Sequence, residues 1–354
     1  MDSQVLDRIE RVQRSVDEWL RPDNYSLKEA IDKTVNEGHF SFQDIKYQVQ
    51  TLKKRLKKEE FILWAEQAGL NSGTNQKTVM CLHAGNLPLV GIQDILAIAL
   101  SGHRYLGKIS RKDPYLPQTL LEILRKENLV DGVWSLEIDD LEGNQADAVM
   151  FSGSTNTAGP VITRLDELGI ASADTPRLMR TAHFSIAHIK DNQPDTMHDL
   201  ANAVFRYGGK GCRSVAMVVA PFNLNSSKCS FTDYVESFWL KQPQHQKAPP
   251  SLYHRYAYNK AAGIEQAWLD DFLIEETEME PVDPFILHWV KGDRQKASEL
   301  ANRYKNSLQS VYVTDPAVEI PNLPVLPELL SEAQQPPVWW KPDGVDPLRW
   351  LGDL

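Results

Sequence analysis

Apolar residues recur at helical spacing in the first 70 residues, for example at Leu6, Ile9, Val12 and Val16. Because a spacing of three and four positions places these side chains on one face of a helix, the region is predicted to be a helical lead-in. From residue 79 the pattern changes to short apolar runs that alternate with amphipathic stretches. This alternation predicts strands and helices in turn and favours a parallel sheet with helices on its faces.

The boundaries of these elements follow from the same pattern. The first half predicts strands at 79–82, 105–109, 130–136 and 148–151, with helices at 90–100 and 117–127. The second half predicts an apolar run at 183–189, strands at 215–220, 272–275, 285–290 and 310–313, and helices at 197–207, 231–240, 252–268 and 294–304. The first set is a Rossmann-type succession.

The chain is predicted to be an α/β protein of two domains. Its 354 residues exceed the usual size of a single core, and we place the boundary near residue 180. A Rossmann-type domain then covers 1–180, and a second α/β domain covers 181–315. Eight of the 21 prolines lie after residue 315, which excludes long helices there and predicts an extended tail, 316–354, that returns to the first domain.

Composition and charge narrow the class of protein. Hydrophobic residues make up 42% and charged residues 24%, as in globular proteins. The formal net charge of -10 disfavours binding to nucleic acid, and the basic cluster at 53–58 is interpreted as a solvated helix face. The most apolar stretch, 87–100, is too short and too polar for a transmembrane segment. Since the amino terminus lacks the apolar core of a signal peptide, the expected location is cytoplasmic.

The three cysteines, Cys81, Cys212 and Cys229, form neither a disulfide framework nor a metal-ligand spacing. We therefore expect free thiols and no metal site. Cys81 lies in an apolar strand and Cys229 in a polar loop, and both are predicted to be structural.

Cys212 has a different setting, the segment 206–214, Arg-Tyr-Gly-Gly-Lys-Gly-Cys-Arg-Ser. Glycines let the backbone approach a substrate closely, and a cysteine at a helix-to-strand turn can present its sulfur in a cleft. Arg206, Lys210 and Arg213 surround it, and positive neighbours favour the nucleophilic thiolate. A small buried residue in a tight turn is the alternative, and this segment alone leaves both open.

Two turns that follow predicted strands carry further candidates. Asn86 lies where its amide can bind an oxyanion, although an Asn there can also cap the next helix. Gly153, Ser154 and Thr155 follow the strand at 148–151, where amides and hydroxyls can meet a pyrophosphate at the positive end of a helix. A plain N-cap explains this turn equally well, and the chain contains no Gly-x-Gly-x-x-Gly fingerprint.

In their order and spacing these segments resemble the aldehyde dehydrogenase superfamily. Within it they are similar to the acyl-CoA reductase family, which includes the fatty-acid reductase subunit of bacterial bioluminescence. The similarity runs from about residue 79 to the end. The segments that carry it are 84–91 (Ala-Gly-Asn-Leu-Pro-Leu-Val-Gly), 101–103 (Ser-Gly-His), 153–158 (Gly-Ser-Thr-Asn-Thr-Ala), 205–207 (Phe-Arg-Tyr), 211–213 (Gly-Cys-Arg) and 343–346 (Asp-Gly-Val-Asp).

This resemblance implies an aldehyde-dehydrogenase-like fold in which 1–180 bind a nicotinamide cofactor and 181–315 carry the nucleophile. Cys212 would accept the acyl group, while Asn86 and the backbone N–H of Cys212 would stabilise the oxyanion. Ser154 would lie against the cofactor pyrophosphate and Lys108 near the adenosine ribose.

Two segments depart from the wider superfamily. Oxidising members carry a glutamate that activates water, at the end of the strand after the Gly-Ser turn, whereas 180–183 read Arg-Thr-Ala-His here. A reductive enzyme should lack this base, because water attacking the acyl-cysteine would compete with hydride. NAD-dependent members commonly end the tetrad 108–111 in Glu, whereas this one, Lys-Ile-Ser-Arg, places Arg111 after Ser110. Arg111 with Lys112 would attract a 2′-phosphate, so NADPH is predicted over NADH, with a solvated basic loop as the alternative.

The sequence thus predicts an NADPH-dependent reductase of acyl-CoA, or of another acyl thioester, that forms an aldehyde through an acyl-Cys212 intermediate. An acyl-phosphate reductase of the same fold and a non-reducing subunit that binds or carries an acyl group stay open. A second copy of the chain or a protein that supplies the acyl group are candidate partners.

Overall fold

The computed structural model describes residues 1–73, 75–181, 184–242, 247–315, 317 and 319–354, and it describes only the backbone of 226–230. The chain divides into two compact units. Unit 1 consists of Met1–Ala182 and Pro336–Leu354, and unit 2 consists of His183–Gln335.

Unit 1 begins with four helices, α1 (Ser3–Trp19), α2 (Tyr25–Asn36), α3 (Phe42–Arg55) and α4 (Lys58–Ala68). The side chains of Asp2, Asn24 and Ser41 cap the first three by accepting a backbone N–H from the first turn. Gly69 ends α4 in the left-handed conformation, with φ of 70°. In the predicted apolar stripe of α1, Ile9, Val12 and Val16 are buried and Leu6 is exposed, so the helical lead-in is a packed part of this unit.

The centre of unit 1 is a sheet of five parallel strands, β1 (Thr78–Leu82), β2 (Arg104–Lys108), β3 (Gly132–Ser135), β4 (Ala148–Gly153) and β5 (Arg177–Thr181). Helices α5 (Ile92–Ser101), α6 (Leu116–Lys126) and α7 (Thr155–Glu167) connect β1 to β2, β2 to β3 and β4 to β5. The strand order is β3-β2-β1-β4-β5, so the winding reverses between β1 and β4. The predicted Rossmann-type succession is confirmed.

The two faces of this sheet are covered by different elements. One face packs against α1, α4, α5 and α6 through a core that includes Trp64 and Leu96, and the other packs against Leu165 of α7. Burial of both faces explains why β1 and β4 read as continuous apolar runs instead of alternating ones. Within the described ranges, none of the helices combines the length and hydrophobicity that crossing a bilayer requires.

Unit 2 is built on seven strands, β6 (Phe184–His188), β7 (Val215–Ala220), β8 (Gln266–Leu269), β9 (Phe272–Glu276), β10 (Ile286–Lys291), β11 (Leu308–Val313) and β12 (Pro327–Leu329). Their order is β12-β11-β6-β7-β10-β9-β8. β8 pairs with β9 in the antiparallel direction, and the other pairs are parallel. The helices are α8 (Pro194–Phe205), α9 (Leu224–Lys241), α10 (Pro250–Ala262) and α11 (Arg294–Arg303).

The structure corrects the sequence prediction at three strands. The helix predicted at 252–268 ends at Ala262, because Gly263 adopts a φ of 70°, and Trp268 lies in β8 instead. β5 was missed because two of its five residues are arginines, and β12 because it is three residues long. The predicted apolar run at 183–189 contains β6, and its first residue, His183, lies outside the described residues.

The predicted tail, 316–354, is not one segment. Its first half belongs to unit 2, where β12 joins the sheet, and only Pro336–Leu354, with helix α12 (Pro347–Gly352), belongs to unit 1. There Trp339 donates its Nε1–H to Glu60 Oε2 at 2.7 Å, and Trp64 donates its Nε1–H to Asp346 Oδ1 at 2.9 Å. Pro316, where the prediction began the tail, lies outside the described residues.

Candidate active site

Seven of the eight predicted site residues lie at one edge of the unit 1 sheet. Asn86 follows β1, Lys108 ends β2 with Ser110 and Arg111 after it, and Gly153 ends β4 with Ser154 and Thr155 after it. Because all five strands are parallel, these positions share the carboxyl edge. β1 and β4 flank the point where the strand order reverses, which is where open α/β sheets bind ligands.

The turn after β1 is held by contacts on both sides of Asn86. On one side Gly85 packs against Ser110, because a Cβ at residue 85 would lie 1.9 Å from Ser110 Oγ. On the other side Leu89, with a φ of 58°, donates its N–H to Asp113 Oδ2 at 2.6 Å. The contacts between the loops after β1 and β2 therefore determine where Asn86 lies.

Asn86 does not cap the helix that follows it. The N-cap residue of α5 is Gly91, five positions later in the chain. The capping alternative is therefore wrong. Asn86 is half-buried at the strand edge, and its role toward an oxyanion stays a prediction.

His83 supports the same turn, and sequence reasoning gave it no role. Its Nε2 lies 2.7 Å from the Tyr105 hydroxyl, and a Cβ at Gly91 would lie 2.0 Å from its Nδ1. Burial lowers the pKa of His83 to about 4, so the ring is neutral near pH 7. Because Gly91 leaves just enough room for the buried ring, we interpret His83 as a packing residue and not as an acid or base.

The loop after β2 brings a carboxylate that sequence reasoning missed. Arg111 forms a two-armed ion pair with Glu137, which follows β3, and its Nε donates to Glu137 Oε1 at 2.5 Å. This pair raises the pKa of Arg111 and lowers that of Glu137. Lys108 is half-buried beside them, and burial lowers its pKa. The two partners are 26 positions apart in sequence, and the pairing of β2 with β3 brings them together.

The turn after β4 exposes the amino terminus of α7. Ser154 has the extended backbone of an N-cap residue, but its hydroxyl lies 3.1 Å from Thr157 Oγ1 and does not cap the helix. Gly153 has a packing reason to be glycine, since a Cβ there would lie 2.6 Å from the Phe151 ring. Ser154 and Thr155 are exposed. Because the first N–H groups of a helix lack intrahelical partners, this end suits an anion.

Cys212 lies in unit 2, in the turn between α8 and β7. Tyr207, Gly208 and Gly209 turn the chain there with φ values of 58°, 65° and 73°. For Tyr207, which has a Cβ, this left-handed conformation costs about 1–2 kcal/mol. A Cβ at Gly209 would lie 3.2 Å from the Val204 carbonyl oxygen. Cys212 itself is half-buried in this tight turn.

Buried side chains hold the backbone around Cys212. Ser185 donates its hydroxyl to the Cys212 carbonyl oxygen at 2.9 Å. Arg213 donates from Nε to the Ala333 carbonyl oxygen and from Nη2 to Glu328 Oε2, both at 2.7 Å. These bonds connect the turn to β6, to β12 and to the segment after β12.

Arg213 is a buried cation that interacts with the Cys212 thiolate. Burial alone would lower the pKa of Arg213, but Tyr312, Glu328 and Cys212 raise it, and the net direction is upward. A positive neighbour favours the nucleophilic form of a cysteine in general, and here the same guanidinium also binds Glu328.

The other two cations of this segment differ from Arg213. Arg206 donates from Nη2 to Asn202 Oδ1 at 2.9 Å, and its guanidinium lies 5.0 Å from the centre of the Phe238 ring. These contacts anchor the end of α8. Lys210 is half-buried.

The other two cysteines were predicted to be structural, and the structure describes the side chain of one of them, Cys81. Cys81 is fully buried in β1, and burial raises the pKa of its thiol well above the usual value, which makes it unreactive. The Cys229 side chain lies outside the described atoms. Among the described residues, no three side chains of metal-ligating type come together.

The end of β5 is the place where we expected a water-activating glutamate to be missing. Arg180 and Thr181 occupy it, and the strand register places them beside Ser152 and Gly153. Arg180 is buried and donates from both terminal nitrogens to the carboxylate of Asp94 in α5, at 2.9 and 2.6 Å. Ala182 and His183, the rest of the segment in question, lie outside the described residues.

Comparison with known proteins identifies the fold. No family model and no curated protein sequence matches the chain. Among solved structures it is similar to the NAD-dependent aldehyde dehydrogenase from Sinorhizobium meliloti, with a TM-score of 0.62 and 13% identity over 87% of this chain and 70% of that one. It is also similar to aldehyde dehydrogenase 21 from Physcomitrella patens, in complex with the reaction product succinate, with a TM-score of 0.59 and 14% identity over 87% of this chain and 73% of that one.

A third structure, the glyceraldehyde-3-phosphate dehydrogenase GapN from Methanocaldococcus jannaschii complexed with NADP, has a TM-score of 0.56 and 12% identity over 88% of this chain and 79% of that one. At such identities a likeness establishes the fold and not the chemistry, because one fold hosts many activities. The chain has an aldehyde-dehydrogenase-like fold, with one parallel sheet and a second mixed sheet.

Proposed function

We propose that this chain is an NADPH-dependent acyl thioester reductase that passes the acyl group through Cys212. The observation that carries the proposal is the setting of Cys212. It is half-buried, it follows a left-handed turn, and its thiolate interacts favourably with the buried Arg213. These are the features of an activated thiol, and they contrast with the fully buried Cys81.

In the first half of the reaction the Cys212 thiolate attacks the carbonyl carbon of the acyl thioester. The bond between that carbon and the sulfur of coenzyme A breaks, and the coenzyme leaves as a thiolate that takes a proton from solvent. The acyl group is then a thioester on Cys212. Asn86 is proposed to donate its amide N–H to the negative oxygen of the tetrahedral stage.

In the second half this thioester is reduced to an aldehyde. NADPH, when bound, supplies the hydride that the acyl carbon accepts. The oxygen of the resulting hemithioacetal re-forms a carbonyl as the carbon-sulfur bond to Cys212 breaks, so the aldehyde leaves and the thiolate is regenerated. Asn86 is proposed to stabilise the negative oxygen here as well.

The carboxyl edge of the unit 1 sheet fits a nicotinamide dinucleotide. The exposed amino terminus of α7, with Gly153, Ser154 and Thr155, suits a pyrophosphate. Lys108 and the loop with Ser110 and Arg111, at the end of the neighbouring strands, suit the adenosine ribose. The Arg111–Glu137 pair is exposed, and because water screens such a pair, a 2′-phosphate can compete for Arg111.

Reduction is favoured over oxidation by the described end of β5. Arg180 and Thr181 form the described part of the 180–183 segment, and the Arg180 guanidinium is occupied by Asp94. A guanidinium cannot act as the base that activates water, because it stays protonated. An arginine at this end of β5 therefore favours an acyl group on Cys212 that persists until hydride reaches it.

The direct test is NADPH oxidation by the full chain, followed by absorbance, with a panel of acyl-CoA thioesters and one acyl phosphate. Aldehyde formed from a thioester supports the proposal. Activity with the acyl phosphate and none with any thioester would select the acyl-phosphate reductase. Acylation of Cys212 without NADPH consumption would refute the reductase and select an acyl-carrying subunit.

The cofactor preference can be tested at Arg111 and Glu137. Arg111→Glu should raise the Michaelis constant for NADPH by about tenfold or more, because it replaces a charge-assisted bond to the 2′-phosphate by repulsion. Glu137→Gln should lower that constant, because Arg111 then loses its competing partner. The constant for NADH should change less in both variants.

A matched control exists on the same strand. Arg104, at the start of β2, forms an exposed ion pair with Asp131, its Nε lying 2.9 Å from Asp131 Oδ2. Arg104→Glu changes the net charge equally at the opposite end of the strand, so it should leave both constants unchanged. If Arg111→Glu and Arg104→Glu behave alike, Arg111 does not recognise the 2′-phosphate.

A further inference from the structure

Two loops at the carboxyl edge of unit 1 contact each other on both sides of Asn86. The Asn86 turn, residues 83–91, follows β1, and the β2–α6 loop, residues 109–115, follows β2. One contact is between Gly85 and Ser110, where there is no room for a Cβ on residue 85. The other is the hydrogen bond from Leu89 N–H to Asp113 Oδ2, 2.6 Å long.

Asp113 is the side chain that makes the second contact. It is 2% exposed, and its own N–H donates to the Ser110 carbonyl oxygen at 3.1 Å, which folds the β2–α6 loop back on itself. Leu89 has a left-handed φ of 58°, a conformation that a residue with a Cβ adopts only when its surroundings hold it there. The hydrogen bond from the Leu89 N–H to Asp113 is such a restraint.

The cost of burying Asp113 argues that its carboxyl group does more than fill space. Burial raises the pKa of Asp113 to about 7, although the N–H groups of Leu89 and Leu116 act in the opposite direction. Buried carboxyl groups with raised pKa values are concentrated at functional sites. Nothing in the sequence pattern pointed to Asp113, because the Leu89 N–H that it accepts lies on the other loop.

We propose that Asp113 is a positioning residue for Asn86: it fixes the turn that presents the Asn86 amide and ties that turn to the loop of Ser110 and Arg111. Asp113 does not touch substrate in this proposal, and it acts through Leu89. The consequence for catalysis rests on the proposed function. The consequence for the conformation of the turn is independent of the proposed function.

The first test measures that conformation directly. Amide hydrogen exchange should become at least about tenfold faster across the Asn86 turn in Asp113→Ala than in the wild type, because exchange follows local opening. Asp113→Asn keeps an acceptor for the Leu89 N–H and should restore most of the protection. Unchanged exchange in Asp113→Ala would overturn the proposal, whatever reaction the protein catalyses.

The second test measures acylation of Cys212 by an acyl-CoA, by mass spectrometry without NADPH. Asp113→Ala should slow acylation by about 10- to 100-fold, since small displacements of a catalytic group have effects of this size. In the Asn86→Ala background the same substitution should have little further effect, because the group that it positions is already gone. Equal slowing in both backgrounds would show a general structural role and refute the proposal.

A matched control and an independent variant complete the design. Asp293 also accepts two backbone N–H groups, from Gln295 and Lys296, but it caps α11 in unit 2. Asp293→Ala should leave both readouts unchanged. If Asp113→Ala does not fold, Gly85→Ala disturbs the other contact between the two loops, where a Cβ would lie 1.9 Å from Ser110 Oγ, and it should also speed exchange across the Asn86 turn. Unchanged exchange in Gly85→Ala would overturn the proposal, whereas a wild type that never acylates, with the exchange result intact, refutes only the proposed function.

Discussion

Cys212→Ala should abolish aldehyde formation, with a loss of at least about 10⁴-fold in turnover, because removing the nucleophile of a covalent mechanism leaves only binding and electrostatic effects. The substitution removes one sulfur atom from a half-buried position. It keeps the hydrogen bond that the Ser185 hydroxyl donates to the carbonyl oxygen of residue 212. The fold should therefore persist. Turnover is measured as NADPH oxidation with the best thioester of the panel.

Cys81→Ala is the matched control. It removes the same atom from the fully buried position in β1, where the thiol has a raised pKa and packs as an apolar group. Stability should fall by about 1–2 kcal/mol as a small cavity opens, while turnover changes little. Full turnover in Cys212→Ala would refute covalent catalysis at this residue, and loss of turnover in Cys81→Ala alone would move the nucleophile to β1.

The acylated protein gives a second readout for the same pair of variants. With acyl-CoA and no cofactor, the wild type and Cys81→Ala should gain one acyl group, and Cys212→Ala should gain none. Adding NADPH should then release that acyl group as aldehyde. Retention of the acyl group in the presence of NADPH would favour the non-reducing subunit.

The sequence predicted the fold well where one kind of local signal dominated. β1, β2 and β4 have apolar centres bounded by glycine and polar turns, so they were recognisable within one or two residues. β5 was not, because Arg177 and Arg180 interrupt its apolar pattern, and the reason for Arg180 lies in Asp94 on a distant helix. An ion pair between residues that are far apart in sequence leaves no periodic pattern in either segment.

The same limit applied to the candidate site. Asn86, Ser154 and Cys212 could be named as candidates from sequence because turn chemistry and glycines are local features. Glu137 and Asp113 could not, since their partners come from neighbouring strands and loops. The left-handed Tyr207 was also beyond prediction, because a non-glycine residue in that conformation depends on tertiary packing.

The two alternatives that sequence left open at the turns were decided by geometry. Ser154 has the backbone of an N-cap but its hydroxyl does not cap α7, and the cap of α5 is Gly91 instead of Asn86.

Arg180→Met should lower the free energy of unfolding by about 3–5 kcal/mol, because it leaves the Asp94 carboxylate buried without its charged partner. The two side chains are only 7% and 4% exposed, so water cannot replace the lost guanidinium without local opening. Urea-induced unfolding followed by circular dichroism measures the effect. Arg104→Met, which breaks the exposed pair with Asp131, is the control and should change stability by less than about 1 kcal/mol.

The double variant Asp94→Leu with Arg180→Met separates the charge from the packing. Replacing a whole buried ion pair by apolar side chains is often neutral, so the double variant should recover most of the stability lost in Arg180→Met. If the double variant stays as unstable as the single one, packing of the Arg180 side chain is what matters.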